Sequence, residues 1–319
     1  MEIEKIKEHI NNVLIETNFP KLGVKKVGKV RDIYVAKDHI TLISTDRHSS
    51  FDRNIAYIPF KGAVLNQISL FYFDKTKDII KNHVLSSPDP NVVIVEKCKP
   101  LPIECVMRGY ITGVTSTSLW TNYQAGKRNF GNFLLSEGLK KNQKLTEPVF
   151  TPTTKSDEHD RPITPKEIVS EGLLSQEMTD EIECIAKALF KRGQEIALKR
   201  GLILVDTKYE FGLDENGKLT LIDEIHTPDS SRYWEAKSYD ERFNDGIEPE
   251  YFDKEFLRLW FKDNCDPYKD KIIPPAPLEL VAELSRRYIE IYETITGKYF
   301  DHDFSQPILD RITKNLEKI

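Results

Sequence analysis

Antiparallel hairpins, with helices gathered in runs of their own, mark a mixed α and β chain built around sheets. Three observations carry this. Residues 24–45 read as strand, turn and strand, and residues 205–225 as a second, acidic hairpin. Leu278–Thr296 reads as a helix with apolar positions at Leu280, Val281, Leu284, Tyr288, Ile291, Tyr292 and Ile295, the spacing of one buried face. At 319 residues the chain is long enough for two cores, since single cores stop growing near ~250–300 residues.

Elements group into three stretches. The first opens with the amphipathic helix M-E-I-E-K-I-K-E-H-I and the early hairpin, V-K-K-V-G-K-V-R-D-I-Y-V, an A-K-D-H turn and I-T-L-I-S-T. A helix over Ala63–Phe73 and a strand N-V-V-I-V-E-K complete it, and the proline-punctuated C-K-P-L-P-I is a candidate hinge. The second stretch holds E-C-V-M-R-G-Y-I-T-G, a long charged loop, a helix from Ser175 to Arg200 stopped by Gly201, and the acidic hairpin. The third is helical, beginning with D-K-E-F-L-R-L-W-F-K-D.

Composition excludes several classes. A hydrophobic share of 39% with 30% charge is that of an ordinary soluble protein, and a net charge of −5 argues against a nucleic-acid footprint. No run approaches the ~18 apolar residues of a membrane helix, and the start is no secretory signal. Cys98, Cys105, Cys184 and Cys265 show no C-x-x-C spacing, which reads as reduced thiols in a cytoplasmic protein without a zinc site.

Four segments carry chemical signals. In V-D-T-K-Y-E-F-G, L-D-E-N-G-K and L-T-L-I-D-E-I, the pair Asn216-Gly217 suits the centre of a type I′ turn. That register sets Glu210 across from Asp223, with Asp206 and Lys208 on the same face. Two carboxylates ~4 Å apart cost up to ~4 kcal/mol at a surface-like dielectric, and a divalent cation such as Mg²⁺ removes that cost. The other reading is a solvated hairpin whose acids are offset by Lys208 and Lys218. In G-K-V-R-D-I-Y, a strand beginning at Gly28 puts Lys29 and Arg31 on one face, suited to a phosphate or to a blunted edge strand. The loop T-P-T-T-K-S-D-E-H-D concentrates Lys155, Asp157, Glu158, His159 and Asp160, a functional loop or a charged mobile one. T-P-D-S-S-R-Y-W offers Asp229, Ser230 and Arg232 to an anionic ligand, or forms a plain surface turn.

Taken in order, G-K-V-R-D-I-Y, T-D-R-H-S-S-F-D, K-G-A-V-L-N-Q-I-S, E-C-V-M-R-G-Y-I-T-G, T-K-S-D-E-H-D, L-V-D-T-K-Y-E-F-G and I-D-E-I-H-T-P-D-S-S-R-Y-W resemble the sequential motifs of the phosphoribosylaminoimidazole-succinocarboxamide synthase (SAICAR synthetase) family. The match runs from Gly28 to Trp234, and the tail resembles that family more loosely. The resemblance implies an α+β, two-lobed, ATP-grasp- or kinase-like fold. Residues 1–99 would form an N-terminal antiparallel-sheet lobe and 100–244 a larger catalytic lobe, with a cleft between them. Residues 245–319 would be helices packed on the catalytic lobe.

It also implies a reaction in purine synthesis. ATP phosphorylates the carboxylate of carboxyaminoimidazole ribonucleotide (CAIR), and the amine of L-aspartate displaces phosphate, giving SAICAR and ADP. Such chemistry asks for positioning and charge neutralisation, not a protein nucleophile. Partners are then small molecules, with neither nucleic acid nor membrane, and a homo-oligomer is left open.

Carried over by position, Gly28, Lys29, Val30 and Arg31 resemble the ATP-phosphate loop, and Glu96 to Cys98 the adenine-contacting segment. Lys155 and Asp223 fall at the nucleotide, and Glu210 and Asp223 on the Mg²⁺ acids. Lys29, Lys155, Asp206 and Lys208 match reacting-centre positions. Ser49, Ser50, Arg108, Ser116, Asp160, Asp229, Ser230 and Arg232 match substrate positions, and Asp52 lies in the segment at the active-site mouth. Two departures matter. Val114 follows T-G where many members have serine, so the phosphate-binding hydroxyl falls to Thr115, Ser116 or Ser118, with Ser116 favoured. The charged loop is one residue shorter than in some relatives, leaving Asp157 and Glu158 without assigned partners. Asp253, Lys254 and Arg258 match a charged helix of the family.

Overall fold

The computed structural model describes residues 1–319 except 52, 156–160, 253–254, 302–305 and 319, with only the backbone at Glu255. The chain divides into two compact units. One holds residues 1–73, 83–97 and 252–319, the other residues 74–82 and 98–251.

The first unit begins with helix α1 (Ile3–Glu8) and strands β1 (Val24–Val27), β2 (Arg31–Val35) and β3 (His39–Ser44). The ribbon β4 (Arg47–Ser50) and β5 (Arg53–Tyr57), helix α2 (Lys61–Thr76), and strands β6 (Val84–Asp89) and β7 (Val92–Glu96) follow. One antiparallel sheet runs in the order β1-β2-β3-β7-β6. The early hairpin is thus three strands. Gly28–Val30 is a turn and not strand, because the Gly28 N–H donates back to the Arg31 carbonyl at 2.8 Å and reverses the chain. Lys29 sits in that turn and Arg31 opens β2, so the two do not share a strand face as expected.

The second unit contains β8 (Lys99–Pro100), β9 (Ile103–Ile111), α3 (Leu119–Gln124), β10 (Gln143–Phe150), β11 (Thr153–Thr154), α4 (Pro165–Ser170) and α5 (Gln176–Leu198). After α5 come β12 (Leu202–Leu213), β13 (Leu219–Ile222), β14 (Ser231–Glu235) and α6 (Ala236–Asn244). Its seven-stranded sheet is ordered β10-β9-β12-β13, with β14 and β8 also on β12 and β11 on β9. Helix α5 starts where Ser175 accepts the Met178 N–H, and buries Ile182, Ala186, Leu189, Phe190 and Ala197 toward β12 and β9. Gly193 is required there, since a Cβ would stand 2.5 Å from His226 Nε2.

His226 is fully buried, and burial drives its imidazole down to about 3. A base depressed in the native state contributes stability above its unfolded value of ~6.5, lost as pH falls. From pH 7 to 5 that loss is about 2 kcal/mol. Asp46, in the first unit, acts oppositely. Burial raises its carboxyl to about 6, despite bonds from the Leu14 and Gly62 N–H groups, so acidification over the same window returns about 1.3 kcal/mol. The native protein is therefore expected to show a shallow stability–pH slope, and His226→Gln to become more stable on acidification relative to its own pH 7 value. Urea unfolding at pH 7 and 5 checks this, and an equal slope in both proteins would remove His226 as the source.

The chain ends in α7 (Glu255–Asn264), α8 (Leu278–Thr296) and α9 (Ile308–Leu316). The left-handed Gly297, φ +69°, closes α8 as its apolar pattern ends. These helices belong to the N-terminal sheet's unit, correcting the expected packing on the catalytic lobe, and the division falls after Tyr251 instead of residue 244. The reason is local. Ile308, Ile312 and Leu316 of α9 complete a core with Leu14, Tyr34, Ile43 and Val92. Arg311 pairs with buried Asp89 at 3.0 and 3.1 Å and reaches Asn91 at 2.6 Å. Helix α6 stays in the second unit because Tyr239 stacks on Trp234 and bonds the Asn142 carbonyl. No helix among the described residues is long and apolar enough to cross a membrane.

Candidate active site

Strand alternation separates two faces of the β9–β12 pair. Cys105, Met107, Tyr209 and Phe211 point into the core, whereas Glu104, Arg108, Asp206, Lys208 and Glu210 line the other face. Buried or half-buried, these five charges must find partners among themselves.

Lys208 is the hub of one group. Its Nζ donates to Glu104 Oε1 at 3.0 Å and Glu210 Oε1 at 2.6 Å, and lies 3.9 Å from Asp223 Oδ2. Burial would drive the ammonium down, but Asp223, Glu210 and Glu104 outweigh it and hold Lys208 far above its ordinary range. Glu210 gives its second oxygen to Lys155, and Glu104 accepts from Thr153 Oγ1 at 3.3 Å.

The acidic hairpin reaches this arrangement by another register than expected. Glu210 faces Ile222, not Asp223, and Leu213 faces Leu219. The Asp214 N–H donates to the Lys218 carbonyl at 3.0 Å, leaving a three-residue loop, 215–217, that the Asp214 side chain captures. Its Oδ1 accepts the N–H groups of Asn216 and Lys218, at 3.0 and 2.9 Å, and its carbonyl accepts that of Gly217 at 2.9 Å. Gly217 alone is left-handed, the form of a type I turn closed by a bulge. Asp223 then falls just past β13 with φ +66°, a conformation uncommon for a non-glycine residue, which brings its carboxylate to Lys208.

A second group crosses β14, β12 and β9. Arg232 grips Asp206 in a fork, Nε to Oδ1 at 3.0 Å with Nη2 on Oδ2, and Arg108 Nη1 stands 3.7 Å from the same Oδ2. Arg108 also donates to Thr151 Oγ1 at 2.9 Å. Burial lowers the Arg108 guanidinium, Asp206 opposes that, and Arg232 adds to it. Gly113, φ +101°, lets the 113–118 turn approach Arg232, since a Cβ would meet Ser118 Cβ at 2.5 Å and Arg232 Nη1 at 3.3 Å. Ser118 is spent as the cap of α3, donating to the Thr115 carbonyl and accepting from the Thr121 hydroxyl, while Ser116 is exposed in the turn. Asp229 and Ser230 are half-buried in the preceding turn, where the Ser230 carbonyl accepts the Lys208 N–H at 3.1 Å.

Cys98 lies in the same unit, its Cβ 3.0 Å from where a Cβ on Gly212 would stand. The first unit carries Gly28, Lys29, Val30, Arg31, Ser49, Ser50 and Glu96. Ser49 and Ser50 pair with Asn54 and Arg53, and Glu96 ends β7 opposite His39. Arg258 stacks over Phe51, ring centre 5.2 Å away. Asp52, Asp157, Glu158, His159, Asp160, Asp253 and Lys254 lie outside the described residues. Glu104, Thr151 and Thr153 escaped the sequence reading. For Glu104 the signal was present, four positions from Arg108 on one strand and so on the same face.

Comparisons with known proteins converge on one family. The family model described as SAICAR synthetase matches residues 25–275. A chloroplastic phosphoribosylaminoimidazole-succinocarboxamide synthase of Arabidopsis thaliana is 58% identical over 97% of this chain and 77% of its own length. The synthase of Legionella pneumophila strain Paris is 56% identical over 96% of this chain and 98% of its own. The SAICAR synthase of Saccharomyces cerevisiae, solved with SAICAR, superposes with a TM-score of 0.78 at 31% identity, over 91% of this chain and all of that one. A SAICAR synthetase solved with ADP gives a TM-score of 0.66 at 27% identity, over 88% of this chain and all of that one. The chain belongs to the SAICAR synthetase family.

Proposed function

We infer that this protein is an ATP-dependent ligase that joins L-aspartate to the carboxylate of CAIR, giving SAICAR, ADP and phosphate in purine biosynthesis. One observation carries the reading: two ammonium-bridged acids, Glu210 and Asp223, share a sheet face with the Arg232–Asp206–Arg108 row. The γ-phosphoryl group passes to a CAIR carboxylate oxygen, leaving ADP and an acyl phosphate. The aspartate amine then attacks the carbonyl carbon, phosphate departs, and the nitrogen sheds a proton. Both steps bring anions together, so the protein's task is to hold and neutralise them.

Lys155 and Lys208 suit charge neutralisation at the phosphoryl group, and the Arg108 and Arg232 forks suit a carboxylate or phosphate of the substrate. Ser116, Asp229 and Ser230 complete that side. Gly28, Lys29, Val30 and Arg31 are assigned to the ATP phosphates, Glu96 and Cys98 to adenine, and Ser49 and Ser50 to the substrate. Among the described residues no group of three His, Cys, Asp or Glu side chains is arranged to hold a metal. Glu210 and Asp223 nonetheless fit Mg²⁺, which characteristically takes one or two carboxylates and fills its shell with water and phosphate oxygens. Bound there, Mg²⁺ would supply positive charge to offset that of the phosphates. The four free cysteines support a reducing compartment such as the cytoplasm.

An assay omitting each substrate in turn tests the activity. Amide product is expected only with ATP, CAIR and aspartate together. A product phosphorylated on a hydroxyl, indifferent to aspartate, would make the protein a simple kinase. Asp223→Asn is expected to lower kcat at least ~10²-fold, the scale of one lost electrostatic group, with the melting temperature little changed. Near-native kcat at saturating Mg²⁺ would remove Asp223 from the phosphoryl-transfer site.

A further inference from the structure

Beneath the Gly28–Val30 turn lies Arg47, a buried side chain on β4 that the reading above leaves without a role. Each of its three guanidinium nitrogens donates a hydrogen bond. Nη2 donates to the Gly28 carbonyl at 3.1 Å and Nε to the Lys29 carbonyl at 3.3 Å. Nη1 donates to the Ile15 carbonyl at 2.7 Å and meets Asp32 Oδ1 at 2.9 Å. Thr45 takes the next carbonyl, that of Val30, with its N–H at 2.9 Å and Oγ1 at 2.8 Å. Three successive carbonyl oxygens of the turn are thus held on the protein side.

Asp32 anchors the arrangement from below. It is buried and accepts the Thr17 N–H and hydroxyl at 2.7 and 2.9 Å, with Lys25 at 3.1 Å. Burial would raise its carboxyl, but Thr17, Lys25 and Arg47 prevail and keep it below the usual carboxylate range, so the pair is charged at neutral pH. Carbonyl dipoles aimed at a phosphate repel it, whereas backbone N–H groups attract it.

We propose that Arg47 is a positioning residue for ATP: it holds the Gly28 and Lys29 carbonyls inward and so keeps the turn in the form that accepts phosphates. This rests on the reading that the turn covers the ATP phosphates. Arginine is needed because one planar fork serves three carbonyl oxygens at once beside the Asp32 charge, which a lysine ammonium on a single stem does not.

The test compares Arg47→Lys, Thr45→Val and Lys29→Ala with the native enzyme, measuring KM for each substrate, kcat and the melting temperature. Arg47→Lys keeps a charge for Asp32 while losing the forked bonds. It is expected to raise KM for ATP about tenfold, the scale of one or two lost hydrogen bonds, with KM for aspartate and CAIR within about twofold. Thr45→Val, which loses one bond to Val30, is expected to raise KM for ATP about threefold, and it decides the matter if Arg47→Lys fails to fold. An equal rise in all three KM values, or a fall in kcat at unchanged KM for ATP, overturns the proposal. If Lys29→Ala alone raises KM for ATP, the turn covers the phosphates but Arg47 does not position it. If none of the three variants changes KM for ATP, the phosphate reading of the turn itself fails.

Discussion

Replacing Lys208 by methionine is expected to lower kcat about 10³-fold, the upper range for a single preorganised electrostatic group. The same change is expected to destabilise the second unit by about 3 kcal/mol, the low end for removing one partner of a buried ion pair. The geometry dictates both. Glu104 and Glu210 lie 3.0 and 2.6 Å from one ammonium, with Asp223 at 3.9 Å, and without that cation three carboxylates repel across a half-buried face. Methionine fills a similar volume, so the loss measures charge rather than a cavity. Two controls isolate the cause. Lys208→Arg, still cationic, is expected to recover most of the stability and only part of kcat, because a planar fork does not reproduce two hydrogen bonds and an ionic contact radiating from one point. Millimolar Mg²⁺ is expected to raise the melting temperature of Lys208→Met more than that of the native protein, since a second cation replaces the first among the same oxygens. Identical Mg²⁺ shifts in both would show that these carboxylates do not form a cation site.

Much of this face was legible because strand alternation is a local rule. Asp206, Lys208 and Glu210 follow at period two, and the same count from Arg108 reaches Glu104. The register of Asp223 was less accessible. Asn216-Gly217 by itself calls for a two-residue loop. Asp214 decides otherwise by accepting two N–H groups of the loop, so a side chain outside the turn pair sets the pairing. A one-residue slip would normally send Asp223 to the far face. Its left-handed backbone compensates, and the expected neighbourhood survives although the expected pairing does not. The fate of the C-terminal helices was not legible at all. The pattern of α9 shows that Ile308 and Ile312 are buried, not what they are buried against, and the Arg311–Asp89 pair joins residues 222 positions apart. The ordered motifs carried the family because seven segments in one sequence order leave little room for a chance match.

Asp206→Ala is expected to reduce kcat/KM about 10³-fold, equivalent to about 4 kcal/mol of transition-state binding. It should also cost about 3 kcal/mol of stability, because the change strands half-buried Arg108 beside Arg232 with no anion between them. Asp206 does not need to touch substrate for this. It is the common acceptor that aims two guanidinium groups from strands on either side of β12, and repulsion between them then turns both aside. Asp206→Asn separates shape from charge. An amide offers one acceptor oxygen and turns two donors toward the second guanidinium, so its activity is expected to fall between native and alanine. Inorganic phosphate supplies a further distinction. In Asp206→Ala two unpaired guanidinium groups form an anion site, and phosphate is expected to raise the variant's melting temperature while scarcely moving the native protein's. Absence of that phosphate effect, together with intact turnover, would mean that the arginine pair is held by the surrounding strands and that Asp206 is only its counter-charge.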